Sequence, residues 1–291
     1  MTSKELEHLL ASKTNEFRLN NKDKLVEPSK FANQIGSTQL ENIPYVKQLE
    51  IKKEALLSLF KNIVQEDILS DFDIISSPKI TEYRFKAEFV ASFNPKFEPI
   101  NRLGQRKKGN FNWVIDLDEY ILIDKAIFNK IRRVYDYSLS LGLNSYDLKK
   151  QIGDLRYLTV KHYQDQSMLI ITSYNKDKRF NEVIDFAIKQ GFNSVYWLVN
   201  NSLHDSFEGK ISKFEGQEYL KINIHFNNKI FMFLAGPFTF FQNNIFGFQK
   251  LLEYIDSILI KFNTAQLNLY DLYCGVGVLG ISLANKFKSV K

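Results

Sequence analysis

One stretch near the C-terminus restricts the fold more than any other: Asn268 to Asn285, NLYDLYCGVGVLGISLAN. It begins with an apolar run, Leu269-Tyr270-Asp271-Leu272-Tyr273, long enough for one buried strand. Gly275, Gly277 and Gly280 follow, and Leu279, Ile281, Leu283 and Ala284 continue at helical spacing. The pattern predicts a strand, a tight glycine turn and a helix. Glycines let the backbone turn sharply and approach a ligand closely, and a helix N-terminus presents free N–H groups.

Two cofactor classes use such a turn. The spacing G-x-G-x-x-G fits a nicotinamide or flavin fingerprint. The spacing Asp271-x-x-x-Gly275-x-Gly277 is similar to the first motif of S-adenosylmethionine-dependent methyltransferases. An ordinary strand-to-helix turn is the third reading. A dinucleotide fold wants an acidic residue about 20 residues further on, but Lys291 is the last residue of this sequence. The rest of the chain has to decide.

With 291 residues the chain has room for two domains, and 44% hydrophobic with 25% charged residues is the balance of a soluble globular protein. No run of 18 apolar residues occurs, so no membrane span is expected. The mixed-charge N-terminus, MTSKELEHLLASKTNEF, is not a signal peptide. A single cysteine, Cys274, excludes an intrachain disulfide and suits a reducing, cytoplasmic setting. The net charge of +6 favours a polyanionic partner.

Residues 1–42 are polar and read as a flexible leader. A helix follows, YVKQLEIKKEALLSLFKNI, with Leu49, Leu56, Leu57, Phe60 and Ile63 on one face. Residues 83–93 and 112–118 alternate as strands. Between them RLGQRKKGN reads as a basic hairpin loop, in which Arg102, Arg106, Lys107 and Lys108 are either phosphate contacts or a solvated tip. A helix is expected from Leu122 to Leu141, then strands at 155–163 and 168–174, a helix at 180–190 and a strand at 194–199. A hairpin at 219–234 turns around Asn227-Asn228. A long helix runs to about Phe262, capped by Asn243 or Asn244, with Phe248, Leu251, Leu252, Ile255, Leu259 and Phe262 inward.

Several stretches together resemble the S-adenosylmethionine-dependent RNA uracil-5-methyltransferases, which make 5-methyluridine in tRNA or rRNA. SPKITEYRFKAEF (Ser77–Phe89) is similar to that family's entry to the central domain, LRYLTVKHY to its central hairpin, FTFFQNN to its F-x-Q-x-N element and DLYCGVG to its cofactor loop. The resemblance implies an α+β central domain, an antiparallel sheet with helices, at 43–235. After it, at 236–291, would come the first strand-turn-helix of a truncated α/β, Rossmann-like methyltransferase domain. It implies that Gln242 contacts the cofactor, that Tyr273 lies beside its adenosyl or methionine part, and that Gly275 and Gly277 admit the backbone. Cys274 is given a packing role.

Two departures stand out. Family members with an iron–sulfur cluster carry C-x5-C-x2-C before the first central helix, where this chain has Ser29, Ile35 and Thr38; no Cys-ligated cluster is expected. The family's chemistry also uses a cysteine thiolate that adds to carbon-6 of uracil and a carboxylate base that takes the carbon-5 proton. The resemblance places both in parts of the fold that this sequence does not include. The expectation is therefore an incomplete enzyme, inactive alone and partnered by RNA and by a missing C-terminal catalytic segment. The alternatives are a non-catalytic RNA-binding or chaperone-like module, and a nicotinamide-binding fragment, which fits FFQNN poorly.

Overall fold

The computed structural model describes residues 3–94 and 98–291 and divides the chain into two compact units. The first holds residues up to Ile80 together with Lys107–Gly109, and the second holds the remainder. The first unit thus takes in the helix at 45–60 together with the N-terminal segment.

The N-terminal segment is not the flexible leader its polarity suggests. Ser3–Asn20 form a helix, α1, that packs on α2 (Tyr45–Phe60). Lys13 pairs with Glu54 at 3.1 Å, and Arg18 donates to Asn42 Oδ1 at 2.7 Å. Phe31, Ala32, Ile35 and Ile43 are buried. α2 itself buries Ile51 and Ala55, while Ile63 lies beyond its end and is exposed. A short helix, α3 (Glu66–Ser70), follows. The positions aligned with cluster cysteines are filled by ordinary packing: Ile35 is buried and bridges to Lys107, the Thr38 hydroxyl donates to Ala32 O at 3.0 Å, and the Ser29 N–H donates to Glu41 Oε1.

The second unit is built on seven strands: β1 (Lys86–Asn94), β2 (Glu98–Lys107), β3 (Asn110–Asp116), β4 (Leu155–Tyr163), β5 (Gln166–Ser173), β6 (Ser194–Val199) and β7 (Lys210–Gly216). Their order is β3-β2-β1-β4-β5-β6-β7. Helices α4 (Lys125–Ser140) and α5 (Arg179–Lys189) cover one face. Phe89 of β1 meets Phe128 of α4 with ring centres 5.3 Å apart, and Trp197 of β6 meets Phe180 of α5 at 5.3 Å. Asp124 caps α4 by accepting the Ile127 N–H at 3.0 Å, which moves its start from Leu122 to Lys125.

The sheet is mixed rather than antiparallel, since β5 and β6 pair in parallel. The cause is α5, which carries the chain back to the starting end between them, as a parallel neighbour requires. Strand β7 was not expected from the sequence. It is a lysine-bearing edge strand, the sort that lacks an apolar signal because one side faces water.

The opposite face of the central strands is covered by the hairpin β8 (Leu220–Phe226) and β9 (Lys229–Ala235), and α6 (Ile245–Leu259) lies against β8. Beyond them, β10 (Asn268–Leu269) pairs in parallel with β11 (Ser289–Val290), joined through α7 (Val278–Leu283). The terminal strand is thus shorter than 269–273 and does find one partner. No helix among the described residues is long and apolar enough to cross a membrane.

Candidate functional site

The turn between β10 and α7 is closed from within by Asp271. Its Oδ2 accepts the Gly280 N–H at 2.9 Å, satisfying a first-turn donor that has no partner inside the helix. A Cβ at position 280 would lie 2.8 Å from that oxygen and 3.1 Å from Val290, so glycine is what lets the carboxylate and β11 come this close. The backbone reverses through left-handed residues at Tyr273 (φ 58°), Gly275 (φ 56°) and Gly277 (φ 74°), and the Gly277 N–H donates to Cys274 O at 2.8 Å. Nothing lies within 4 Å of where a Cβ on Gly275 would stand. The Tyr273 side chain is fully exposed. Cys274 is exposed as well, so it does not pack as expected: a tight turn projects its side chains outward.

The second element is the segment 236–244. Three consecutive amides in it behave differently. Asn243 Oδ1 accepts the Lys86 N–H at 3.1 Å, and Asn244 Oδ1 accepts the Gly247 N–H at 2.8 Å and caps α6. Gln242 is exposed, and its side chain makes no hydrogen bond among the described residues. Phe241, Ile245, Phe248 and Leu252 share one core cluster with Val278 and Leu283 of α7. The segment bearing Gln242 and the glycine turn are therefore parts of the same packed body. Leu251 and Phe262 were expected inward on α6 but are exposed; Phe262 lies past the end of the helix.

Sequence reasoning missed Lys161. Its ammonium, on a side chain 1% exposed, donates to Gly236 O at 2.6 Å and Thr239 O at 2.7 Å, tying down the segment that leads to Gln242. Burial, and then the charge of Lys86 on the neighbouring strand, push its pKa down to about 7. A lysine inside LRYLTVKHY reads as the polar side of an alternating strand, so no local signal betrays its burial.

The four cations expected on a hairpin loop do not form one. β2 extends to Lys107, leaving only Lys108-Gly109 as the turn. The reason is alternation: Arg102, Gly104 and Arg106 take one face of β2 while Leu103 enters the core. Arg102 is 7% exposed with its guanidinium 5.1 Å from the Trp113 ring. Arg106 pairs with Asp205 and lies 3.8 Å from the Phe111 ring. Lys107 and Lys108 belong to the first unit, where the Lys108 N–H donates to Gln34 O at 2.8 Å and its ammonium to Gln39 Oε1 at 3.0 Å.

No family model matches the chain. It is 28% identical over 260 residues to an RNA methyltransferase of Caldanaerobacter subterraneus subsp. tengcongensis, covering 86% of this chain and 55% of that protein. It is 26% identical over 254 residues to the tRNA (uracil(54)-C(5))-methyltransferase of Pyrococcus furiosus, with 86% and 55% covered. It is 25% identical over 256 residues to the 23S rRNA (uracil(747)-C(5))-methyltransferase of Pyrococcus abyssi, again over 86% and 55%. Among solved structures it is similar to the Pyrococcus abyssi tRNA (uracil-54, C5)-methyltransferase in complex with S-adenosyl-L-homocysteine, with a TM-score of 0.68 and 24% identity over 90% of this chain and 59% of that one. The chain spans a little over half the length of these proteins.

Proposed function

We propose that this chain, a relative of the RNA uracil-5-methyltransferases, is the RNA-holding and cofactor-entry part of an S-adenosylmethionine-dependent enzyme acting on a uridine of tRNA or rRNA. In this reading residues 43–235 hold the RNA, and 236–291 begin the Rossmann-like methyltransferase domain. The observation that carries it is the turn closed by Asp271, with an open side at Gly275 and Tyr273 in left-handed backbone. A non-glycine residue there costs about 1–3 kcal/mol, strain that clusters at ligand sites.

These residues fit the cofactor. Gly275 and Gly277 leave the backbone bare where a ligand must come close, Tyr273 offers an exposed ring, and Gln242 offers an uncommitted donor and acceptor on one amide. Bound S-adenosylmethionine would supply an electrophilic methyl group. Asp271 holds the turn in shape, and Lys161 holds the backbone leading to Gln242. The one thiol, Cys274, stands in the cofactor turn, on the donor's side. A nucleophile that adds to carbon-6 must stand across the substrate from the donor, so this chain does not itself supply the thiolate.

The test is transfer of tritium from labelled S-adenosylmethionine to uridine in total RNA. We expect none with residues 1–291 alone, and transfer once a segment carrying a cysteine thiolate and a carboxylate base is supplied, in cis or as a second chain. In that completed enzyme Gln242→Ala should weaken cofactor binding roughly tenfold, the cost of losing a hydrogen bond to a charged ligand. Robust transfer by this chain alone, surviving Cys274→Ser, would overturn the reading.

A further inference from the structure

The β1-β2-β3 end of the sheet carries an arrangement that the cofactor turn does not use. The pairs Ser92↔Arg102 and Val90↔Gly104, with Val90↔Tyr157, put Arg102, Gly104, Val90, Ser92 and Tyr157 on one face. Phe111 and Trp113 of the edge strand β3 reach the same face, each seated on a guanidinium: Arg106 lies 3.8 Å from the Phe111 ring and Arg102 5.1 Å from the Trp113 ring. Phe111 is 56% exposed.

The two arginines are committed elsewhere than to a ligand. Arg106 pairs with Asp205 and donates to Phe111 O, and Arg102 is buried. What they do is fix the rings from beneath, leaving the outer π-face of Phe111 to solvent. The carboxylates nearby are engaged as well. Asp205 takes Arg106 and the Tyr157 hydroxyl, and Asp147 accepts the Lys149 and Lys150 N–H groups at 2.9 and 3.1 Å. The exposed Lys149 lines the same hollow as Arg106, Asn112 and Tyr157.

We propose that Phe111 and Trp113 are a stacking platform for successive bases of single-stranded RNA, with Lys149 placed for the backbone. The proposal rests on the RNA reading above and names the form of RNA. Residues two apart on a strand stand about 7 Å apart, roughly twice the 3.4 Å rise per nucleotide along a duplex strand. Bases reaching both rings must therefore be unstacked from each other, which a single strand permits and a duplex does not.

The test is binding of a labelled single-stranded decamer, and of its duplex, to the full chain. The wild type should prefer the single strand and show quenching of tryptophan fluorescence that Trp113→Phe removes. Phe111→Leu and Trp113→Leu keep an apolar side chain but no π-face; each should weaken binding about tenfold with an unchanged slope of log K against log salt, since no phosphate contact is lost. Phe111→Tyr should bind within about twofold of wild type. Leucine variants that bind like wild type would overturn the platform and leave the RNA reading standing. A wild type that binds no RNA would overturn both. A tyrosine variant as weak as the leucine one would overturn the stacking role.

Discussion

The central hairpin β4-β5 and the terminal β10-α7-β11 unit are both apolar in sequence, yet they end in opposite environments. Every residue of β4 except His162 is buried, and β4 pairs with β1 on one side and β5 on the other. β10 forms two residue pairs with β11, and Tyr270, Leu272 and Tyr273 stand in the open, Leu272 at 76% exposure. An apolar run is buried only where neighbours exist on both edges and both faces. The hairpin has them within residues 81–235, whereas in the terminal unit full burial is confined to α7, at Val278, Gly280, Ser282 and Leu283.

Four measurements test this contrast. The largest effect belongs to the hairpin side of the sheet. Phe89 is fully buried against Tyr120 and Phe128, with ring centres 5.5 and 5.3 Å away. Phe89→Ala should lower unfolding free energy by about 3–5 kcal/mol in a denaturant titration, while Leu272→Ala should stay within about 0.5 kcal/mol. Equal losses would erase the distinction. Next, amides of β4 and β5 should exchange with deuterium orders of magnitude more slowly than those of 268–273; similar rates would mean the terminal strand is as well anchored as the core.

Lys161 supplies a pH test. Its folded pKa, about 7, lies below the ordinary lysine value of 10.5. Between these values the unfolded chain binds more protons, so this group's contribution to stability rises with pH from about 7 to 10.5. Below pH 7 its burial cost is fully present. The melting temperature of wild type relative to Lys161→Met should therefore climb from pH 6.5 to 9.5, and a flat difference would show that the ammonium is not held in its buried position. The smallest effect is at Gly280, where a Cβ must push Asp271 Oδ2 aside. Gly280→Ala should cost roughly 1–2 kcal/mol, read as earlier loss of protection in 271–290 with the central sheet unchanged.

The differences between sequence pattern and structure share one origin. α1 is polar overall and looked like a leader; its order comes from packing on α2 and from Arg18 and Lys13 bonding to residues more than twenty positions away. The basic run at 102–108 looked like one patch, but strand alternation sends its members to different surroundings and buries Arg102 beneath Trp113. β7 went unseen because an edge strand needs apolar residues on one side only.

Local chemistry, legible along the chain, sets the glycine positions that permit left-handed backbone at 275 and 277, the asparagine cap of α6, the Asn227-Asn228 turn, and the periodicities of α5, β4 and β5. Tertiary structure alone decided which charges are buried, where Lys161 grips the 236–239 backbone, and which aromatic rings face water. The reason is range. Turns and caps depend on neighbours within about four residues, whereas burial and pairing depend on strands brought together from 70 or more positions apart, as Lys161 and Gly236 are by 75.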